Sequence, residues 1–167
     1  MSAKQTITLG LINPKSAVNV AGILRAAGCY GVDTVLYTGQ RYRYAKEFNA
    51  DTKAFHRQIP TIGVDDLFEM APSSARRVAI ELVEDATPLP HYTHPANAMY
   101  ILGPEDGSIG DDILRQCDDV VYVPTRSCMN LAATVNVVLY DRLSKSDFVH
   151  NNAVIRQSRD NNNNARR

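Results

Sequence analysis

The chain has 167 residues, of which 44% are hydrophobic and 22% are charged. This composition is typical of a globular protein and excludes a disordered one, and at this length one domain can bury about 70% of the extended chain's surface. No run of about eighteen apolar residues occurs and the first residues lack the apolar core of a signal peptide, so we expect a cytoplasmic protein without a membrane span.

The charges are segregated along a chain whose formal net charge is zero. Residues 41–57 carry five basic and two acidic side chains, and residues 142–167 carry six basic and two acidic ones. Residues 65–119, in contrast, carry three basic and twelve acidic side chains. Such segregation can present a basic face to a nucleic acid, although ordinary solvated surface charge explains it equally well.

The first forty residues predict a strand, a helix and a second strand. An apolar run over residues 7–12 ends at Asn13-Pro14, a pair that marks a turn. A helix then follows with Asn19 as its predicted N-cap and Gly28 or Gly31 as its end. The β-branched and aromatic residues 34–38 form the next strand. A strand–helix–strand unit of this kind implies a parallel sheet.

The rest of the chain predicts further alternating elements and a polar tail. We expect a short helix or ordered loop over residues 40–60, helices over 64–71 and 108–116, strands over 77–83, 98–102 and 120–123, and a final amphipathic helix over 130–143. The predicted organisation is one α/β domain, residues 1–145, followed by an Asn-rich tail, residues 146–167, that we expect to be disordered.

Three segments at predicted strand ends carry unusual polar sequence. They are NVAGILR from Asn19 to Arg25, GPEDG from Gly103, and PTRSCMN ending at Asn130. Ligands of open α/β sheets bind at the carboxyl ends of the strands, so these segments are candidates for a binding site. Each also has a simple structural explanation, as a helix cap, a surface arginine or a tight turn.

Taken in order, the three segments resemble the three motifs of the SpoU/TrmH family of SPOUT RNA methyltransferases. The matching stretches are NPKSAVNVAGILRAAGCYG, YILGPEDGSIG and VYVPTRSCMNLAATVNVVLYD, and the resemblance spans roughly residues 5–143. The length is closest to members that are a bare catalytic domain acting on the tRNA wobble ribose. The resemblance implies a parallel sheet flanked by helices, with a deep trefoil knot at the C-terminal end.

The same resemblance implies the chemistry. It indicates methyl transfer from S-adenosylmethionine to a ribose 2′-hydroxyl, with tRNA as the favoured substrate and S-adenosylhomocysteine as product, in a homodimer whose sites use both subunits. Residues expected to line the cofactor pocket are Leu82, Gly103, Val123, Cys128 and Leu131. The family usually has Ser where this chain has Cys128, and Ser127 is an alternative source of that polar contact.

By the same resemblance, Arg25, Asn19, Glu105 and Asn130 form the catalytic set. Arg25 is expected near the attacking hydroxyl, Asn19 orients Arg25 or the ribose, Glu105 holds the motif loop or positions Arg25, and Asn130 caps the last helix. An arginine acting as a base would need its pKa lowered to 7, at a cost of roughly 7 kcal/mol. We therefore favour Arg25 binding phosphate and polarising the hydroxyl, with a neutral-arginine base as the alternative.

The predicted RNA surface is the basic stretch, with Tyr42, Tyr44 and Phe55 available to stack on bases. Its basic members are Arg41, Arg43, Lys46, Lys53 and Arg57. The alternative is a loop that packs on the second subunit. The histidines and cysteines show no metal-ligand spacing, so we expect no metal and reduced thiols.

Other functions are compatible with the same motifs. The chain could be a non-catalytic RNA- or nucleotide-binding protein of the same fold, which the replacement at Cys128 favours, or a methyltransferase acting on ribosomal RNA. Methylation of guanine N1, as in other SPOUT enzymes, is disfavoured because the spacing from Asn19 to Arg25 matches the ribose-modifying branch.

Overall fold

A computed structural model describes residues 5–46 and 58–159 of the chain. Within them, the strands are β1 (Ile7–Leu11), β2 (Thr34–Tyr37), β3 (Thr61–Gly63), β4 (Arg76–Ile80), β5 (Thr87–Pro88), β6 (Ala98–Leu102) and β7 (Asp119–Tyr122). The helices are α1 (Ala17–Tyr30), α2 (Arg41–Lys46), α3 (Asp111–Leu114), α4 (Leu131–Ser144) and α5 (Asn152–Ser158), with a 3-10 turn at Leu89–His91.

The described strands form one parallel sheet in the order β3-β2-β1-β6-β4-β7-β5. The central strand β6 is buried on both faces, as expected for a parallel sheet covered on both sides. Tyr100 belongs to the larger core and the neighbouring Met99 and Ile101 to the smaller one, because successive side chains of a strand point to opposite faces. The predicted α/β class and parallel sheet are confirmed.

Helices α1 and α4 pack together on the face that carries the larger core. Val20 and Ile23 of α1 and Val135 and Val138 of α4 are all buried in it. A Cβ at Gly22 would lie 3.0 Å from the Cβ of Ala132, so the glycine lets the two helices approach closely. This packing brings the start of α4 beside the first turns of α1.

Most predicted elements are present, but their ends differ. The first helix begins at Ala17, and its N-cap is Ser16, whose side chain accepts a hydrogen bond from the backbone N–H of Asn19. The prediction of Asn19 as the cap was therefore wrong, because a serine three residues earlier performs that role. Gly31, one of the two predicted ends, closes the helix at φ 69°, which a glycine adopts without steric cost.

Three other expectations need correction. Residues 64–71 form turns instead of a helix, since the Asp66 carboxylate accepts a hydrogen bond from the backbone N–H of Phe68 at 2.7 Å and so competes with helical pairing. The strand predicted over residues 77–83 ends at Ile80. In the tail, α5 forms at Asn152–Ser158 with Asn151 as its cap, where the sequence predicted no helix; residues 160–167 lie outside the described residues.

Candidate active site

A cavity of about 440 Å³ opens at the carboxyl ends of β4, β6 and β7. This is the edge where ligands of parallel α/β sheets bind, and the volume falls in the range of small-molecule sites. Three loops and the first turns of α1 and α4 enclose it. The lining residues are Asn19, Ile80, Glu81, Leu82, Leu102, Gly103, Pro104, Glu105, Gly107, Val123, Thr125, Cys128, Met129, Asn130, Leu131 and Thr134.

A chain of side-chain hydrogen bonds joins the three predicted motifs at this cavity. Asn130 Nδ2 donates to Asn19 Oδ1 at 2.9 Å, and Asn19 Nδ2 donates to Glu105 Oε1 at 3.0 Å. Asn130 also caps α4, because its Oδ1 accepts from the backbone N–H of Ala133. The structure thus brings Asn19, Glu105 and Asn130 together although they lie far apart in sequence.

Glu105 fixes the start of α1. Besides Asn19, the backbone N–H groups of Lys15 and Ser16 donate to its carboxylate at 2.8 and 3.0 Å. Partial burial acts to raise the pKa of Glu105, but the hydrogen bonds from Asn19, Lys15 and Ser16 outweigh it, so the pKa lies below its usual value. Glu105 is therefore ionised, and it joins the loop after β6 to the first motif.

Arg41 forms a second link between loops, beside that of Glu105. Its Nη1 donates to both carboxylate oxygens of Asp106, at 2.9 and 2.8 Å, and its Nε donates to the backbone carbonyl of Asn13 at 3.1 Å. The guanidinium predicted to bind RNA is therefore occupied within the chain. It joins the loops that follow β1 and β6, a role that sequence alone did not indicate.

Glu81 lies at the cavity and was missed by the sequence analysis. One of its carboxylate oxygens accepts from the backbone N–H of Leu82 at 2.9 Å and the other from that of Ile109 at 2.8 Å. It therefore links the loop after β4 to the loop after β6. Its position immediately after β4 is the signal that could have identified it, because strand ends carry the ligand contacts of this fold class.

The five residues predicted to hold the cofactor all line the cavity: Leu82, Gly103, Val123, Cys128 and Leu131. Gly103 has a steric reason, since a Cβ there would lie 3.2 Å from the backbone nitrogen of Ile109, tighter than ordinary packing. Ser127 is absent from the lining, whereas Thr125 is present with its hydroxyl donating to the Ser127 carbonyl at 2.7 Å.

Arg25 is not among the residues that line this cavity. Its side chain is exposed on α1, and it lies six residues beyond Asn19, about 9 Å further along the helix axis. It forms no hydrogen bond or ion pair with any residue that the structure describes. The expectation that Arg25 faces the reacting groups is therefore not met within a single chain.

The predicted basic surface is only partly described. Arg43 is exposed and borders a second cavity of about 440 Å³, whose other charged residues are Asp65, Asp66 and Glu69. The backbone of Lys46 ends α2, while Lys53 and Arg57 lie outside the described residues. Acidic groups therefore interrupt the basic surface near Arg43.

The three cysteines are free. Within residues 5–46 and 58–159, no group of three metal-ligating side chains occurs. None of the helices in this part of the chain is long and apolar enough to cross a membrane.

Residues 6–140 match the model of the SpoU rRNA methylase family. No protein with a curated description matches the chain in sequence. Solved structures share its fold at low identity. One, described as giving insights into 2′-hydroxyl methylation of C/U34 on tRNA, is 17% identical with a TM-score of 0.73, and the match covers 87% of this chain and 93% of that one.

Two further structures are similar. The TrmH/SpoU tRNA modifying enzyme of A. aeolicus is 19% identical with a TM-score of 0.73, covering 84% of this chain and 75% of that one. The SpoU methyltransferase AviRb from Streptomyces viridochromogenes, in complex with the cofactor AdoMet, is 16% identical with a TM-score of 0.69, covering 86% of this chain and 61% of that one.

Proposed function

The chain belongs to the SpoU rRNA methylase family, and on that basis we propose that it transfers a methyl group from S-adenosylmethionine to a ribose 2′-hydroxyl of RNA. The observation that carries this proposal is the single cavity onto which Asn19, Gly103 and Asn130 converge from the three motifs. We favour tRNA over ribosomal RNA, because a similar structure of nearly the same length is described as acting on tRNA.

The cavity fits S-adenosylmethionine in size and in donor chemistry. Apolar side chains such as Ile80, Leu102 and Leu131 can cover the adenine, and a glycine at position 103 leaves room for the backbone to approach the ligand. When bound, the cofactor supplies a methyl group made electrophilic by a sulfonium. The protein must then align the ribose oxygen and help to remove its proton.

Within one chain, Asn19, Glu105 and Asn130 provide a fixed polar wall for the cavity. Because each contacts its neighbour by a hydrogen bond of about 3 Å, their side chains are oriented before substrate arrives. Preorganised dipoles of this kind stabilise charge that develops in the transition state. We assign Glu105 and Asn130 to loop and helix positioning, and Asn19 to orientation of the ribose.

We propose that Arg25 serves the cavity of a second copy in a homodimer. Val18, on the same face of α1 as Arg25, is 71% exposed, and Val137 and Tyr140 of the adjacent α4 are also exposed. Exposed apolar residues on two packed helices favour burial against a partner, and a two-fold dimer would bring two copies of this face together. There, Arg25 would bind RNA phosphate and polarise the hydroxyl.

We propose that the RNA surface includes Arg43, Lys46, Lys53 and Arg57. Arg41 is not a free cation in this surface, because it pairs with Asp106.

The trefoil knot also stays a proposal. It is supported by the match of residues 6–140 to the SpoU rRNA methylase family.

Two measurements on the purified protein test the proposal. Titration calorimetry should detect S-adenosylmethionine binding, and labelled methyl groups should then pass to tRNA taken from a strain lacking the protein. Binding without transfer to tRNA or ribosomal RNA would favour the non-catalytic alternative, which the thiol of Cys128 in the cavity supports. Absence of binding would contradict methyl transfer from this cofactor.

A further inference from the structure

The cavity has an uneven charge. Of its lining residues, Glu81 and Glu105 are acidic, and none is Lys, Arg or His. The cavity is therefore acidic, although the chain has a formal net charge of zero. Glu81 is half-buried and Glu105 is exposed, and carboxylates attract a cationic ligand more strongly than a neutral one of the same shape.

The two carboxylates are not equivalent. Glu105 accepts three hydrogen bonds from the start of α1, and the neighbouring Asp106 pairs with Lys15 and Arg41, so positive groups already surround that loop. Glu81 accepts a single backbone hydrogen bond on each oxygen. Each oxygen therefore keeps acceptor capacity, and no ion pair of Glu81 occurs within the described residues.

We propose that Glu81 is a specificity-determining residue that makes the cavity prefer the sulfonium cofactor over its neutral product. This inference rests on the proposed function. Transfer forms a carbon–oxygen bond to the ribose, leaves the electrons of the broken carbon–sulfur bond on sulfur, and releases the hydroxyl proton to solvent. The ligand thereby loses one positive charge, and the attraction of Glu81 for it is lost at the step when product must leave.

Isothermal titration of S-adenosylmethionine, sinefungin and S-adenosylhomocysteine tests this directly. Sinefungin carries an ammonium near the position of the sulfonium, so it reports charge without methyl transfer. In Glu81→Gln, affinity for the two cationic ligands should fall by about tenfold, and affinity for the neutral product by less than about twofold. Glu84→Gln, an exposed carboxylate on the same loop, is the matched control and should change none of the three.

Glu81→Asp retains the charge, so it should keep the preference for cationic ligands even if the overall affinity changes. If Glu81→Gln lowers the affinity for all three ligands equally, the role of Glu81 is purely structural. If the three affinities do not change, Glu81 has no role in binding. Either result overturns the proposal. Because the titration needs no RNA, a failure of methyl transfer is a separate result from a failure of this preference.

Discussion

Glu105 and Arg25 represent two ways in which a single residue can serve the site. Glu105 acts inside its own chain, where three donors hold its carboxylate against the start of α1. Arg25 is exposed and forms no hydrogen bond or ion pair with the described residues. Substitution of Glu105 should disturb the shape of the cavity, whereas substitution of Arg25 should disturb only the reaction.

Replacing Arg25 with alanine should abolish methyl transfer and leave S-adenosylmethionine affinity within about twofold, since Arg25 does not line the cavity of its own chain and is proposed to contact the RNA rather than the cofactor. Single-turnover transfer and calorimetry on the same preparation measure the two quantities. Comparable losses of transfer and of cofactor binding would indicate that Arg25 is structural.

Replacing Glu105 with glutamine should lower the free energy of unfolding by about 1 kcal/mol, because the side-chain amide has one acceptor oxygen instead of two and carries no charge. Since the pKa of Glu105 is lowered by folding, its contribution is present above the unfolded-state pKa and is lost as pH falls through the folded-state value. Urea unfolding near pH 7 and near pH 4 should therefore differ less for the variant than for the parent. The same pH dependence in both proteins would contradict this role.

For individual residues, the sequence predicted the members of the polar wall but not which charged residues pair with each other. Asn19, Glu105 and Asn130 could be found because they lie in the three segments that resemble the family's motifs. The pairing of Arg41 with Asp106 was not predicted, because these two residues are brought close only by the fold. Isolated charge patterns do not reveal which cations already have partners.

The second half of α4 is held by polar contacts that are largely buried. His94 contacts the Tyr100 hydroxyl through Nδ1 at 2.6 Å and Asp141 through Nε2 at 2.8 Å, and Arg142 donates to the same hydroxyl at 3.1 Å. A neutral His94 with its proton on Nε2 completes this chain, because Tyr100 can then donate to Nδ1. Protonation of Nδ1 would leave the tyrosine hydroxyl without an acceptor.

This arrangement makes α4 packing sensitive to acid. Burial is the main reason that the pKa of His94 lies below its ordinary value of 6.5, although Asp141 opposes the shift. The resulting stabilisation is fully present above pH 6.5 and is lost as pH falls through the folded-state pKa. Urea unfolding should show a smaller difference between about pH 7.5 and 5.5 in His94→Gln than in the parent. An unchanged difference would show that His94 is not the responsible group.

Elements with long apolar patterns were predictable, and short ones were not. Strand β6 and helix α4 follow directly from their apolar residues. The two-residue β5 exists through its pairing with the distant β7, and the turn at Asp66 depends on a local hydrogen bond. Periodicity registers neither. The early start of α1 depends on one serine side chain, a detail below the precision of pattern reasoning.

For the molecule as a whole, the central question is whether two chains share each site. If Arg25 serves the partner's cavity, mixing Arg25→Ala with Gly103→Val protomers should restore activity, because each mixed dimer then has one site with both parts intact. With random pairing, about a quarter of the parental activity is expected. Each variant alone provides the inactive control, and its homodimer peak in size-exclusion chromatography shows that it assembles. Absence of any recovery would place Arg25 at its own chain's cavity.

The most direct test of the account is the position of the transferred methyl group. RNA methylated with a labelled donor is digested in alkali, which cleaves the chain only next to a free 2′-hydroxyl. We predict that the label is recovered in alkali-resistant dinucleotides that contain a 2′-O-methyl nucleoside. Recovery of the label in mononucleotides, as methylated bases, would contradict the account.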